Sequence, residues 1–166
     1  MKSRFAVGLG VAGALLGAAL IFTGAKATPA PQVSYTSIQG EQITQASLKG
    51  KVVLVNFWAT TCTGCVAEMP KLMATQNKFA ERGLKTVAVA MSYDPPTQVA
   101  AFAEARKLPF FVALDGDGKL AKQFGDVNLT PTTFLIDKHG NIVQRYIGEP
   151  DFAKLEQLIT DKLAEA

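Results

Sequence analysis

Cys62-Thr63-Gly64-Cys65 holds the only two cysteines of a 166-residue chain, three positions apart. Two thiols at that spacing can close a disulfide with each other or exchange one with another molecule. In the first turn of a helix they come within bonding reach. Before the pair, Lys51-Val-Val-Leu-Val-Asn56-Phe57-Trp58 is a short apolar, β-branched run, which reads as a buried strand. After it, Val66-Ala67-Glu68-Met69 begins a helical pattern. The pair therefore stands where a strand hands over to a helix. A cysteine there faces unpaired backbone N–H groups and the positive end of the helix dipole, which favours the thiolate, the attacking species in disulfide exchange. Cys62, at the helix start, is expected to be the more exposed and to form the mixed disulfide with a substrate. Cys65, a turn deeper, is expected to be the resolving thiol.

Two other uses of the pair carry less weight. A purely structural disulfide would close a very short loop and contribute little stability. A tetrahedral zinc site wants four ligands, and beyond the two thiols the chain offers a single histidine, His139, in an Asp-Lys-His-Gly turn far along the sequence. No metal site is expected, and His139 reads as a solvated loop residue. A copper-carrying site with two thiolates and a partner histidine is kept as the non-enzymatic alternative.

The rest of the chain supplies the elements that must hold the pair. Residues 33–38 alternate and, with 42–44, suggest a small antiparallel hairpin. The helix opened by the cysteines is expected to run to Arg82-Gly83, a basic last turn with a glycine stop, and Pro70 inside it should kink it. Leu84 to Met91 reads as a second strand, Thr97 to Lys107 as a helix with Val99, Phe102 and Ala103 inward, and Phe110 to Leu114 as a third strand. A short helix over 120–124, a hairpin of 132–136 with 142–146, and a closing helix over 152–164 complete the pattern. Early strand–helix alternation implies a parallel half-sheet, and the late hairpin adds an antiparallel half.

The amino terminus is of a different kind. Lys2 and Arg4 precede an unbroken run of Gly, Ala, Val, Leu, Ile and Phe from Phe5 to Phe22, and Ala25-Lys26-Ala27 has the A-x-A pattern of an export cleavage site. Residues 1–27 are expected to be a signal peptide cleaved after Ala27. A retained inner-membrane anchor formed by residues 5–22 is the alternative, because the run approaches the length of a span. Both place the folded part in the periplasm. Residues 28–32, with two prolines, read as a linker, and residues 33–166 as one domain. Of the 17 Lys and Arg, Lys2, Arg4 and Lys26 precede residue 28, and the remaining 14 match the 14 Asp and Glu. The folded part thus carries no net basic charge with which to bind nucleic acid.

Asn56 to Cys65, then Glu68-Met69-Pro70, then Leu129-Thr130-Pro131-Thr132-Thr133-Phe134 resemble the thioredoxin superfamily, and within it the exported TlpA/ResA-type thiol-disulfide oxidoreductases. The resemblance covers about residues 33–166. It implies an α/β thioredoxin fold: a central mixed sheet flanked by helices, with an amino-terminal β-hairpin and a β-α insertion around residues 84–107. It also implies that Pro131 is cis and faces the cysteines across a substrate groove. Trp58 is expected to pack beside the pair and to belong to that groove. Thr130 would present its backbone to an extended client segment. The implied activity needs no cofactor. It is reduction of protein disulfides, commonly in apocytochrome c or at copper-site cysteines, with electrons from a DsbD/CcdA-type membrane donor. The rival direction is disulfide formation. A peroxidase of the peroxiredoxin kind is disfavoured, because no proline frames the nucleophile in Phe57-Trp58-Ala59.

Departures from the branch pattern are informative. Thr61 stands where most relatives have tryptophan, and Gly64 where proline is common. Asn56 occupies the strand position at which thioredoxins proper have a buried acid, so Cys65 needs another carboxylate, or water, as proton acceptor. Asp94 and Glu104 in the insertion are the nearest choices, but solvated surface charge is the preferred reading of both. Glu68 recurs in the branch, and a favourable charge near the helix start is its preferred reading.

Overall fold

The computed structural model describes residues 27–165. The expected export segment lies, except for Ala27, outside them. The run expected to be a buried strand is one: β4 (Val52–Trp58) has all seven residues buried. It is the middle of a six-stranded sheet in the order β1-β8-β7-β4-β5-β6. The other strands are β1 (Thr28–Pro29), β5 (Leu84–Ala90), β6 (Phe111–Leu114), β7 (Thr132–Ile136) and β8 (Asn141–Ile147). β4 pairs in parallel with β5, and β5 with β6, while β7, β8 and β1 add on antiparallel. A separate hairpin of β2 (Ser34–Thr36) and β3 (Gln42–Thr44) docks on β6 through an isolated bridge from Ser37 to Ala113.

A central strand buried on both faces contributes alternate residues to two cores. Val53, Val55 and Phe57 meet Tyr35 of the hairpin and Leu120, Ala121 and Phe124 at α3 (Lys119–Gln123). Val52, Leu54 and Trp58 meet the other face, built by α1 (Thr63–Phe79), α2 (Pro96–Arg106) and α4 (Phe152–Ala164). α1 contributes Cys65, Met69, Leu72 and Phe79 there, α2 Val99 and Ala103, and α4 Leu155 and Ile159. Each fully buried Leu, Ile or Phe contributes about 1.5–3 kcal/mol, so the two cores hold β4, and the turn that follows it, without help from a crosslink.

α1 runs through Pro70 and is followed by one turn of 3-10 helix that Gly83 closes at φ 105°, a left-handed conformation natural to glycine. Residues 28–32, expected to be a linker, are not a free one. Thr28 and Pro29 pair with Ile142 and Asn141 of β8, and Ala30 is buried in the core. No helix among the described residues is long and apolar enough to cross a membrane.

Candidate active site

β4 ends at Trp58 and the chain turns through Ala59–Thr61 into α1. Cys62 is the N-cap of α1, in extended conformation, and its Sγ accepts the backbone N–H of Cys65 at 3.1 Å. The sulfur thus occupies the place of a capping oxygen, against an otherwise orphan amide. Cys62 and Cys65 are joined as a disulfide with a Cα–Cα separation of 5.2 Å. Cys62 is partly exposed, whereas Cys65 is 0% exposed. The asymmetry expected from helix geometry is present: one sulfur reachable, the other beneath it.

Across from the pair lies the α3–β7 loop. The Thr130–Pro131 peptide bond is cis. A Cβ built on Gly64 would meet Pro131 Cδ at 3.6 Å, so the proline ring packs directly on the inter-cysteine residues. Several contacts fix that loop. Thr132 Oγ1 donates to the Leu129 carbonyl at 2.7 Å, and Gly148 N–H donates to the Pro131 carbonyl at 2.8 Å. Phe124, at the end of α3, packs edge-on against Phe57 at 5.4 Å and tilted against Phe134 at 5.1 Å. Thr130 is half-buried, and its backbone N–H and C=O make no hydrogen bond with the described residues. Trp58 is not at the surface. It is 0% exposed and packs on Phe102 at 5.1 Å, so it supports the site from below and does not line a groove. A large side chain at the end of an all-buried strand has no route to solvent.

Two acids depart from their expected places. Glu68 is 1% exposed and accepts a hydrogen bond from Asn56 Nδ2 at 2.9 Å. Asn56 Nδ2 also donates to Thr133 Oγ1 at 2.9 Å, its register partner on β7. Burial pushes the Glu68 carboxyl up to about 7, against the opposing effect of the Asn56 hydrogen bond. Glu68 is therefore not a surface charge serving the helix dipole. It is a buried acid one turn past Cys65, and among the described residues its Oε2 has no hydrogen-bond partner. Its spacing from Cys65 was the available signal, since residues three apart share one side of a helix and the Cys65 side is the buried one. Asp94 is likewise buried, at 4% exposed, and not solvated. Its carboxylate accepts both Thr60 N–H and Thr60 Oγ1–H at 2.6 Å, two residues before Cys62. Glu104 is exposed, as is His139. No group of three or more His, Cys, Asp or Glu among the described residues could hold a metal ion.

With a reachable sulfur at a helix start, a buried partner sulfur, a buried acid able to hold or release a proton near neutrality and a loop with free backbone groups, the arrangement can exchange disulfides. Several known proteins match the chain. The Redoxin family model matches residues 25–159. The thiol-disulfide oxidoreductase ResA of Bacillus thuringiensis subsp. konkukian is 35% identical over 130 residues, covering 78% of this chain and 74% of that protein. The thioredoxin-like protein YneN of Bacillus subtilis is 35% identical over 130 residues, covering 77% and 75%. Among solved structures, a thiol:disulfide interchange protein of the thioredoxin family from Chlorobium tepidum superposes with a TM-score of 0.77 at 29% identity, covering 85% of this chain and 99% of its own.

Proposed function

We propose, from the premise that this chain belongs to the Redoxin family as a ResA-type thiol-disulfide oxidoreductase with the Cys62–Cys65 pair, that it reduces disulfides in client proteins of the periplasm. The observation that carries this reading is the asymmetry of the two sulfurs, Cys62 partly exposed as the cap of α1 and Cys65 fully buried behind it.

In the reduced protein the Cys62 thiolate, favoured by the amide groups at the start of α1, attacks one sulfur of a client disulfide. The client's bond breaks, its second sulfur leaves as a thiolate, and a Cys62–client disulfide forms. Cys65 then loses its proton and attacks Cys62 Sγ. The client's first sulfur leaves as a thiolate, the Cys62–Cys65 disulfide closes, and two electrons have passed from the protein to the client. Glu68, poised near 7 and on the Cys65 side of α1, is the group suited to take that proton. Thr130, with its backbone groups free beside Pro131, is suited to receive the client as an added strand. Regeneration requires a dithiol donor at the membrane, of the DsbD/CcdA type. Residues 5–22 would deliver the chain to that compartment, by export or as an anchor. Clients in cytochrome c or copper-site assembly fit a reductase working where disulfides otherwise form readily.

The test is capture. With Cys65→Ser, expressed in the periplasm, the first step proceeds and the second cannot, so mixed disulfides through Cys62 should accumulate and disappear on adding Cys62→Ser. An empty trap accompanied by tight copper binding favours the copper-carrying alternative. Direction is read from the equilibrium with glutathione: a potential well below about −200 mV supports the reductase, and one near about −120 mV supports an oxidase.

A further inference from the structure

The exchange chemistry leaves Tyr93 without a task, although its placement is closely controlled. It sits in a tight turn between β5 and α2 that is fastened to the end of β4. Met91 N–H donates to the Trp58 carbonyl at 3.0 Å, and Asp94 N–H donates to the Met91 carbonyl at 2.9 Å. The buried Asp94 carboxylate grips Thr60 through both of its oxygens. Pro95 and Pro96 then restrict the exit from the turn.

At the tip, Tyr93 is 60% exposed and belongs to neither core cluster. Its hydroxyl lies 3.4 Å from Thr130 Oγ1. The phenol thus spans from the nucleophile's side of the site to the loop that carries Pro131. Three large apolar side chains among the described residues are exposed, Tyr93, Leu129 and Ile147. All three adjoin that loop. Leu129 directly precedes Thr130, and Ile147 is the register partner of Thr132, next to the Gly148 amide that binds the Pro131 carbonyl. An apolar group at the rim of a binding site, on a backbone that is already fixed, loses less entropy when a ligand covers it.

We propose that Tyr93 is a specificity-determining residue, its ring forming one wall of the client groove and selecting segments that carry an apolar side chain beside the reacting cysteine, with Leu129 as a second apolar contact. The proposal rests on the oxidoreductase reading and deepens it. Backbone pairing at Thr130 accepts any sequence, and the side chains around it supply the discrimination. A tyrosine gives large contact area for two rotatable bonds, and here the turn has already fixed its backbone.

The experiment uses the full chain, reduced, in single turnover against two synthetic peptides. Each contains one Cys-Xaa-Xaa-Cys disulfide, flanked by leucine in one peptide and by serine in the other. The parent should reduce the leucine peptide several-fold to about tenfold more efficiently, the range an added aromatic contact supplies. Tyr93→Ala should remove that preference through the half-saturating concentration, leaving the saturated rate and the alkylation rate of Cys62 by iodoacetamide unchanged. Tyr93→Phe, which keeps the ring, should retain it. The proposal is overturned if the parent shows no preference, if the preference survives Tyr93→Ala, or if that change slows both peptides equally together with alkylation. A parent that reduces neither peptide overturns the reductase reading itself.

Discussion

Asn56 holds Glu68: the strand amide donates to the helix carboxyl at 2.9 Å, in the buried layer one turn along α1 from Cys65. The contact joins β4 to α1 through two polar groups where the neighbouring contacts are apolar. It places an ionisable group where burial, not a neighbouring charge, chiefly sets its protonation. A carboxyl in that position is protonated in mildly acidic solution and ionised in mildly basic solution, and crosses between the two near neutrality.

Stability should respond to that acid with a definite sign. Its folded value, about 7, lies above the ordinary 4.5, so the folded state holds the proton more tightly than the unfolded chain does. Its contribution to stability is greatest below about pH 4.5 and is lost as pH rises through 7. Glu68→Gln removes this dependence. Urea unfolding of the oxidised protein at pH 5 and pH 8 should show the parent losing on the order of 1–2 kcal/mol more than the variant, after allowing for solvent screening. Parallel losses in the two proteins contradict the assignment.

The same substitution should slow the second half of exchange. Glutamine cannot accept the Cys65 proton, so resolution of a preformed Cys62 mixed disulfide should fall by roughly tenfold near pH 7, and less at pH 9, where hydroxide deprotonates the thiol directly. Rapid quench of a Cys62–peptide adduct measures this step apart from the first attack, which should be unaffected.

Much of this arrangement was legible in the sequence, and the parts that were not share a cause. β4, β5 and β7 announced themselves as apolar runs, and α4 by one apolar face with Leu155 and Ile159 at its centre. Such patterns are local, and burial on both faces of a strand writes them directly into composition. Cys62 and Cys65 were legible because the chemistry of a thiol depends first on the helix end it caps. The places of Glu68 and Asp94 are not legible, because the burial of a charged residue on a helix or in a turn shows only once its partner is known. Those partners, Asn56 and Thr60, lie 12 and 34 positions away. Nearness in sequence to the cysteines does not put Trp58 on the groove, because β4 is buried on both faces and its alternation delivers Trp58 to the core beneath α1 and α2. Thr28–Pro29 has too little pattern of its own to reveal its pairing, since β8 supplies the register.

Gly64 offers a stabilising change. It is the second residue of α1, its φ is not in the left-handed region, and the Cβ of an alanine would find only an ordinary contact with Pro131 Cδ at 3.6 Å. Replacing glycine in a helix by alanine stabilises by up to about 1 kcal/mol, through the unfolded chain's lost freedom and better helix propensity. Gly64→Ala should raise the denaturant midpoint by an amount consistent with about 0.5–1 kcal/mol, with the disulfide-exchange rate kept within a few-fold. A fall in stability would mean that Pro131 packs more tightly on the pair than this spacing indicates.

Asp94 tests how rigidly the nucleophile must be held. Its carboxylate takes the Thr60 amide and hydroxyl together at 2.6 Å, and Thr60 leads through Thr61 into Cys62. Asp94→Ala leaves both donors without their buried acceptor, a loss of about 1–3 kcal/mol, and frees the turn before α1. Asp94→Asn keeps the volume and one good acceptor, but turns an amide N–H toward one of the two Thr60 donors. It should therefore cost less in stability than alanine and still loosen the turn. If the clamp positions Cys62, both variants should slow its alkylation and its attack on a client disulfide, with alanine the slower, while Thr60→Ser, which keeps both donors, should match the parent. Unchanged alkylation in Asp94→Ala, measured where the variant is fully folded by circular dichroism, would show that the cap of α1 alone is enough to hold the sulfur in place.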